Sequence, residues 1–274
     1  MPCYKPLKAW RDASRRGITF NPGKGYIDQP IQIPCGQCLA CRAEKARQWG
    51  IRCAKELMQH EQNCFITLTF DNERADPLKT ISLDKKDFSN FMKRLRKNTK
   101  TPGIKFFHCG EYGEKNSRPH HHAILFGIDF PDKVAIKDSK LGHKQFTSEI
   151  LLKAWQNQGD VTVSEANYQT AAYIAKYCSK VWTESKASPK TREEIYMGVT
   201  PPYISMSRGG TNGKGIGYGF YEKFKHETYR DDNVCINGKR MKPPKYYDNL
   251  YKEEQPKHLA ALKGKRQQLA EGHE

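Results

Sequence analysis

Hydrophobic positions along the chain predict a mixed α+β fold. Residues 65–70 (FITLTF) are β-branched or aromatic and predict a strand. In residues 84–98, apolar side chains recur at the spacing of one helix face; they are Phe88, Phe91, Met92 and Leu95. The later pattern predicts strands at 104–111 and 119–127, a helix at 148–158 capped by Ser148 and ended at Gly159, a strand at 160–164, and a helix from Asn167 to about Trp182.

These elements follow the order β-α-β-β-α-β, and a further helix comes after them. That order is typical of ferredoxin-like folds, in which helices cover an antiparallel sheet. Residues 1–34 are rich in Pro, Gly and basic side chains and show no clear period. A helix is predicted from Pro34 to about His60, and its buried side is expected to carry Leu39, Ala43, Ala46, Cys53 and Leu57.

Composition divides the chain into four parts. Residues 1–60 form an N-terminal extension, 61–183 the core, 184–236 a glycine-rich basic accessory segment, and 237–274 a charged tail expected to fold weakly. The glycine-rich stretch 207–217 is not a Walker A loop, because Lys214 is followed by Gly and Arg208 stands where the first Gly is required. Its backbone either approaches a phosphate or forms a mobile loop.

A formal charge of +17 and a pI near 9.4 indicate a polyanionic partner. The alternative is a solvated basic surface. The 14 Tyr, 12 Phe and 4 Trp lie among the basic residues, which suits stacking on the bases of single-stranded DNA. No run approaches the roughly 20 apolar residues of a membrane span, and the N-terminus lacks the apolar stretch of a signal peptide. We therefore expect a protein of the reducing cytoplasm.

Histidines at alternate positions of the strand 119–127 predict a metal site. His120 and His122 share one face, whereas His121 faces the other side. The third ligand is expected from the preceding strand or its turn, and Glu111 at the strand end is favoured over Glu114 in the turn. Such a mixed site accepts Mg²⁺ or Mn²⁺. The competing interpretation is that these are ordinary core or surface histidines.

Two tyrosines four residues apart suggest a nucleophile. On a helix, Tyr173, Lys176, Tyr177 and Lys180 fall within an arc of about 100°. A lysine three residues after each tyrosine favours phenolate and neutralises phosphate charge. Alternatively, both tyrosines are half-buried packing residues.

Three of the nine cysteines, Cys35, Cys38 and Cys41, follow the spacing CxxCxxC. Tetrahedral Zn²⁺ needs a fourth ligand, and Cys3 is the best candidate. An iron–sulfur cluster and buried thiols without metal are the alternatives. The other cysteines are expected to be packing residues.

The chain resembles the HUH endonucleases, which initiate rolling-circle replication. Residues 65–70 are similar to the first family motif, His120-His121-His122 to the second, and residues 173–180 to the third in its two-tyrosine form. Residues 34–42, together with 205–208 and 215–217, resemble the initiators of microviruses of gokushovirus type.

This resemblance implies that one tyrosine attacks a phosphodiester at the origin, leaving a 3′-OH and a 5′-phosphotyrosine. The second tyrosine then cuts the regenerated origin, and the displaced strand is closed into a circle. It also implies host DNA polymerase and helicase as partners, in the cytoplasm of an infected bacterium. A plasmid relaxase, a single-strand transposase and a non-catalytic zinc-containing single-strand DNA-binding protein are the alternatives.

Overall fold

The computed structural model describes residues 3–14, 17–113, 117–136, 138, 142, 144–175, 198–209 and 214–271. It is an α+β structure with three antiparallel sheets. The strands are β1 Leu7–Asp12, β2 Ile18–Thr19, β3 Gly25–Ile33, β4 Asn63–Thr69, β5 Lys105–Tyr112, β6 Pro119–Phe126, β7 Val134–Ala135, β8 Phe146–Thr147, β9 Val161–Ser164, β10 Tyr203–Met206, β11 Val234–Ile236 and β12 Lys239–Met241. The helices are α1 Leu39–Leu57, α2 Pro77–Ile81, α3 Lys85–Thr99, α4 Glu149–Ala154, α5 at 168–175, α6 Tyr218–Arg230, α7 Lys245–Glu254 and α8 Pro256–Glu271.

The central sheet has seven strands in the order β10-β5-β6-β4-β9-β8-β7, and all neighbours are antiparallel. β6, the histidine strand, therefore lies between β4 and β5. In this register His122 is opposite Thr67 of β4, and His120 is opposite Glu111 of β5.

One face of the sheet packs against α3 and α4. The four apolar residues predicted for one side of α3 are all buried there, and the Asp84 carboxylate caps the helix by accepting from the Lys86 N–H at 2.8 Å. α4 begins after the Ser148 cap as predicted but ends at Ala154. The prediction of a helix to 158 is wrong because Gln156 and Asn157 adopt φ of +61° and +53°, which turns the chain back toward β4.

The opposite face packs against α1 and α5. Cys53 is buried in this layer, as predicted, but Leu39 and Ala43 are exposed. α1 begins only at Leu39, and its buried residues lie mostly in its second half. There the helix contacts the sheet through Cys53 and the C-terminal helices through Ile51. Packing on two sides, rather than one apolar stripe, decides which residues of α1 are buried.

The N-terminal segment forms a sheet that the sequence did not predict, in the order β2-β1-β3. Within the described residues from 3 to 33, only Ala9 is buried. Without an inward-facing apolar row, the segment lacks the alternating pattern by which strands are recognised.

The sequence predicts weak folding for residues 237–274; the described part of this segment contains α7 and α8, which pack against α6 and α1. Their core is built largely of tyrosines; Tyr229 and Tyr251 stack at 3.8 Å between ring centroids. Arg266 on α8 forms ion pairs with Asp232 and with Asp248, the latter at 2.9 Å. The boundaries between the four parts of the chain remain a prediction.

Glu56 connects α1 to β5 and to the glycine-rich stretch. Its buried carboxylate accepts hydrogen bonds from Lys105 at 2.7 Å, His60 at 2.9 Å and the Gly217 N–H at 2.7 Å. The described end of the glycine-rich stretch thus packs its backbone against α1. No described helix has the length and apolar character needed to cross a bilayer.

Candidate metal centre and its tyrosine

Strand pairing brings Glu111, His120 and His122 together on the α1 and α5 side of the sheet. The Oε1 atom of Glu111 lies 3.0 Å from His120 Nε2 and 3.2 Å from His122 Nε2. The ligand atoms of all three residues lie within 4.8 Å of one another. They form a candidate metal-binding group. Glu114, the other proposed ligand, lies outside the described residues.

Both imidazoles are held at their Nδ1 atoms and direct Nε2 toward Glu111. His120 Nδ1 lies 3.1 Å from the carbonyl oxygen of Arg118, which can only accept, so this nitrogen carries a proton. In the neutral ring, the Nε2 lone pair then faces a carboxylate oxygen at 3.0 Å. That contact is favourable only when a cation, either a proton or a metal ion, lies between the two atoms.

His122 is fixed in the same way by β4. Its Nδ1 atom lies 2.9 Å from the Thr67 hydroxyl, and its ring stacks on Phe65 with centroids 5.7 Å apart. Hydrogen bonding at the second ring nitrogen is how proteins orient histidine ligands. Thr67 is not among the site residues predicted from the sequence; its position opposite His122 in the sheet puts both side chains on the same face.

Burial and hydrogen bonding have opposite effects on the pKa values of Glu111 and His122. Burial alone would raise the pKa of Glu111, but the hydrogen bonds from His120 and His122 outweigh it and lower this pKa below its ordinary value. Burial lowers the pKa of His122, against the influence of Glu111. The result is an ionised carboxylate beside an imidazole that favours its neutral form, which is the protonation state of metal ligands.

Tyr173 lies beside this centre on α5. Its ring meets His122 edge-on with centroids 5.6 Å apart, and its side chain is 41% exposed. The next residue, Ile174, is fully buried against the sheet. α5 is thus anchored through one side and carries Tyr173 at the metal centre. Tyr177, Lys176 and Lys180 lie outside the described residues.

His121 faces the opposite side of the sheet and has a different environment. It is fully buried, and its Nδ1 atom lies 3.0 Å from Nε2 of His108, a residue that sequence analysis did not single out. His108 Nδ1 in turn lies 2.8 Å from the Ser205 hydroxyl. Burial lowers the pKa of His121 to about 3 and the pKa of His108 well below its ordinary value. These two rings are neutral packing groups of the α3 layer.

A second group of potential ligands lies at the start of α1. Cys3, Cys35, Cys38 and Cys41 have their sulfur atoms within 4.8 Å of one another, and none of these four forms a disulfide. Of the cysteines expected to be packing residues, Cys53, Cys64 and Cys109 are buried, Cys235 is exposed, and Cys178 lies outside the described residues.

Comparisons with known proteins agree on one family. Residues 63–181 match the family model of the replication-associated protein ORF2/G2P. The chain is 30% identical to the replication-associated protein ORF2 of Spiroplasma virus 4, over 98% of this chain and 87% of the relative. It is 28% identical to the replication-associated protein VP4 of Bdellovibrio phage phiMH2K (99% and 85%) and 27% identical to the replication-associated protein ORF4 of Chlamydia phage 1 (81% and 54%). No solved structure matches the chain.

Proposed function

Because the chain belongs to the family of viral replication-associated proteins represented by these relatives, we propose that it initiates rolling-circle replication. In this proposal it nicks and rejoins single-stranded origin DNA through a 5′-phosphotyrosine. The observation that carries the proposal is the position of Tyr173, whose ring touches His122 of the carboxylate–histidine group. An HUH core of ferredoxin-like type is part of the proposal, supported by the element order and the antiparallel central sheet.

We assign Mg²⁺ or Mn²⁺ to Glu111, His120 and His122. One carboxylate and two imidazoles suit these ions, and imidazole favours Mn²⁺ of the two. When bound, the ion supplies Lewis-acid stabilisation of the scissile phosphate. The partly buried hydrogen bonds at both Nδ1 atoms hold the imidazoles in one orientation, which supports a preorganised ligand set.

Tyr173 is the proposed nucleophile. Its phenol oxygen loses its proton and bonds to phosphorus, while the bond from phosphorus to the 3′ oxygen breaks and leaves a free 3′-OH. The energy of the broken ester is retained in the phosphotyrosine, so rejoining needs no nucleotide triphosphate. Tyr177 is proposed as the second nucleophile, with Lys176 and Lys180 neutralising phosphate charge. Host DNA polymerase would extend the 3′-OH, and a host helicase would separate the strands.

The test uses viral origin DNA, as a single-stranded oligonucleotide labelled on the 3′ side of the nick, with Mn²⁺. Wild type should become covalently labelled, whereas the double variant Tyr173→Phe, Tyr177→Phe should not. Tyr168→Phe is the matched control, because this tyrosine lies on the same helix and packs against Gly50 of α1 instead. Labelling of the double variant would refute the nucleophile assignment. DNA binding without cleavage under any divalent ion would favour a non-catalytic binding protein.

The ligand assignment has its own test. His122→Ala should abolish cleavage while DNA binding remains, since the basic surface is unchanged. Mapping the labelled peptide by mass spectrometry would identify the attacking tyrosine. Loss of DNA binding together with cleavage would show instead that His122 is structural.

A further inference from the structure

We propose that Cys3, Cys35, Cys38 and Cys41 bind one Zn²⁺, and that this ion, rather than an apolar core, holds the N-terminal three-stranded sheet on α1. The inference goes beyond the proposed nicking reaction and does not depend on it. Cys3 is contributed from far along the chain: it precedes β1, whereas the other three cysteines follow β3 and lead into α1. Such convergence of four soft sulfur ligands selects zinc or an iron–sulfur cluster.

The spacing of the sulfur atoms fits a single ion. Zinc–sulfur bonds of about 2.3 Å in a tetrahedron place neighbouring sulfur atoms about 3.8 Å apart. Cys3 Sγ and Cys38 Sγ are 3.8 Å apart. This is far too long for a disulfide, which measures about 2.05 Å. A cluster of several iron atoms needs wider spacing between its thiolates than one ion does, so the observed packing favours zinc.

Backbone N–H groups surround these sulfurs in the way that thiolates require. The Cys35 N–H donates to Cys3 Sγ at 3.3 Å, and the Cys38 N–H donates to Cys35 Sγ at 3.3 Å. The Gln37 N–H donates to the same Cys35 sulfur at 3.4 Å. Donors directed at sulfur stabilise its charged form, and the loop between the cysteines is shaped to supply them.

The position of the cluster explains how the N-terminal sheet can be stable. Ala9 is the one buried residue among those described between 3 and 33, so burial of apolar side chains contributes little there. Cys3 lies before the first strand of this sheet, and Cys35 lies two residues after its last strand ends at Ile33. Cys38 is the N-cap of α1. One ion therefore fastens both ends of the sheet to the helix, and metal binding supplies folding free energy that the sheet otherwise lacks.

The test measures metal and local stability in the full chain without DNA. Elemental analysis after EDTA washing should find one zinc per chain in wild type and in Cys235→Ser, a control at an exposed cysteine, and none in Cys3→Ser. Replacement by Co²⁺ should give the intense absorption of tetrahedral thiolate coordination. Hydrogen exchange should accelerate in β1–β3 of Cys3→Ser while β4–β6 keep their protection.

Four results would overturn the proposal. Absence of zinc from wild type would show that the four cysteines do not bind this ion. Retention of as much zinc in Cys3→Ser as in wild type would show that Cys3 is not a ligand. Iron in the purified protein, together with the visible absorption of a cluster, would show that the cysteines hold an iron–sulfur centre instead of zinc. Unchanged exchange in β1–β3 after metal loss would show that the sheet is held by other contacts. Because none of these measurements involves cleavage, failure of the proposed nicking activity would leave them interpretable.

Discussion

Thr67→Val should weaken metal binding at the carboxylate–histidine centre without unfolding the protein. The Thr67 hydroxyl lies 2.9 Å from His122 Nδ1, and it accepts the Nδ1 proton when Nε2 is a metal ligand. Loss of such a hydrogen bond to a ligand costs about 10- to 100-fold in metal affinity, or about 1.4–2.8 kcal/mol. Valine keeps the shape of threonine but leaves the buried His122 Nδ1 without this partner, so the free energy of unfolding of the apo protein should fall by about 1–3 kcal/mol.

The measurement is a Mn²⁺ titration of binding by calorimetry, together with the Mn²⁺ dependence of origin cleavage. Thr162→Val is the matched control: Thr162 pairs with Thr67 from β9, one strand further from the histidine strand. The affinity should fall in Thr67→Val and stay at the wild-type value in Thr162→Val. Equal affinities in wild type and Thr67→Val would refute the reasoning, because the stacked Phe65 ring would then suffice to orient His122.

Three further predictions concern stability. Burial would raise the pKa of Glu56, but its hydrogen bonds outweigh burial and lower this pKa in the folded protein. The ionised carboxylate therefore stabilises the fold fully above the unfolded-state pKa of about 4.3. This stabilisation is lost as the pH falls through the folded-state pKa, which is lower. Glu56→Gln should therefore cost about 1.5–3 kcal/mol at pH 7 in urea unfolding, and an equal cost at pH 3 would contradict this. His121→Leu should leave the Nε2 atom of His108 without its partner and lower the free energy of unfolding by about 1–3 kcal/mol. Mn²⁺ binding should stay at the wild-type value, and weaker binding would mean that the two faces of the sheet are coupled. Gly159→Ala should lower the free energy of unfolding by about 1–3 kcal/mol, because the added Cβ would lie 2.2 Å from the Thr69 carbonyl oxygen. The measurement is the melting temperature, and an unchanged value would show that the backbone moves to accommodate the Cβ.

The sequence predicts α3 because its burial is one-sided and periodic, and it predicts the two sides of the histidine strand because alternate residues of a strand face opposite ways. Phe88 and Leu95 of α3 mark a helix face, and the alternation of His120, His121 and His122 assigns each ring to its side of the sheet. The same alternation, combined with strand pairing, identifies Glu111 as the residue opposite His120.

The parts that were missed lack such a signal. The N-terminal sheet buries almost nothing, so its strands show no inward-facing row. The C-terminal helices pack through aromatic residues with hydroxyl groups, such as Tyr229 and Tyr247, and through an arginine held by two aspartates. Hydropathy patterns give little weight to either kind of contact, so they predict weak folding for a charged and tyrosine-rich segment. Contacts made across large distances in sequence, such as His108 with Ser205, have no local pattern at all.

The strand β10 pairs with β5, the strand that carries Glu111 of the candidate metal-binding group. It returns to the sheet after residue 198 and pairs with β5, so that Ser205 lies opposite His108 and Tyr203 opposite Gly110. Without this pairing, β5 would be an edge strand, and its end carrying Glu111 would be free to fray. With it, β5 is hydrogen-bonded on both sides as far as Gly110, the residue before Glu111, and the rings of His120 and His122 are held at their Nδ1 atoms. β10 thus supports the strand of Glu111 along the edge of the sheet, and none of its residues 203–206 belongs to the candidate ligand group.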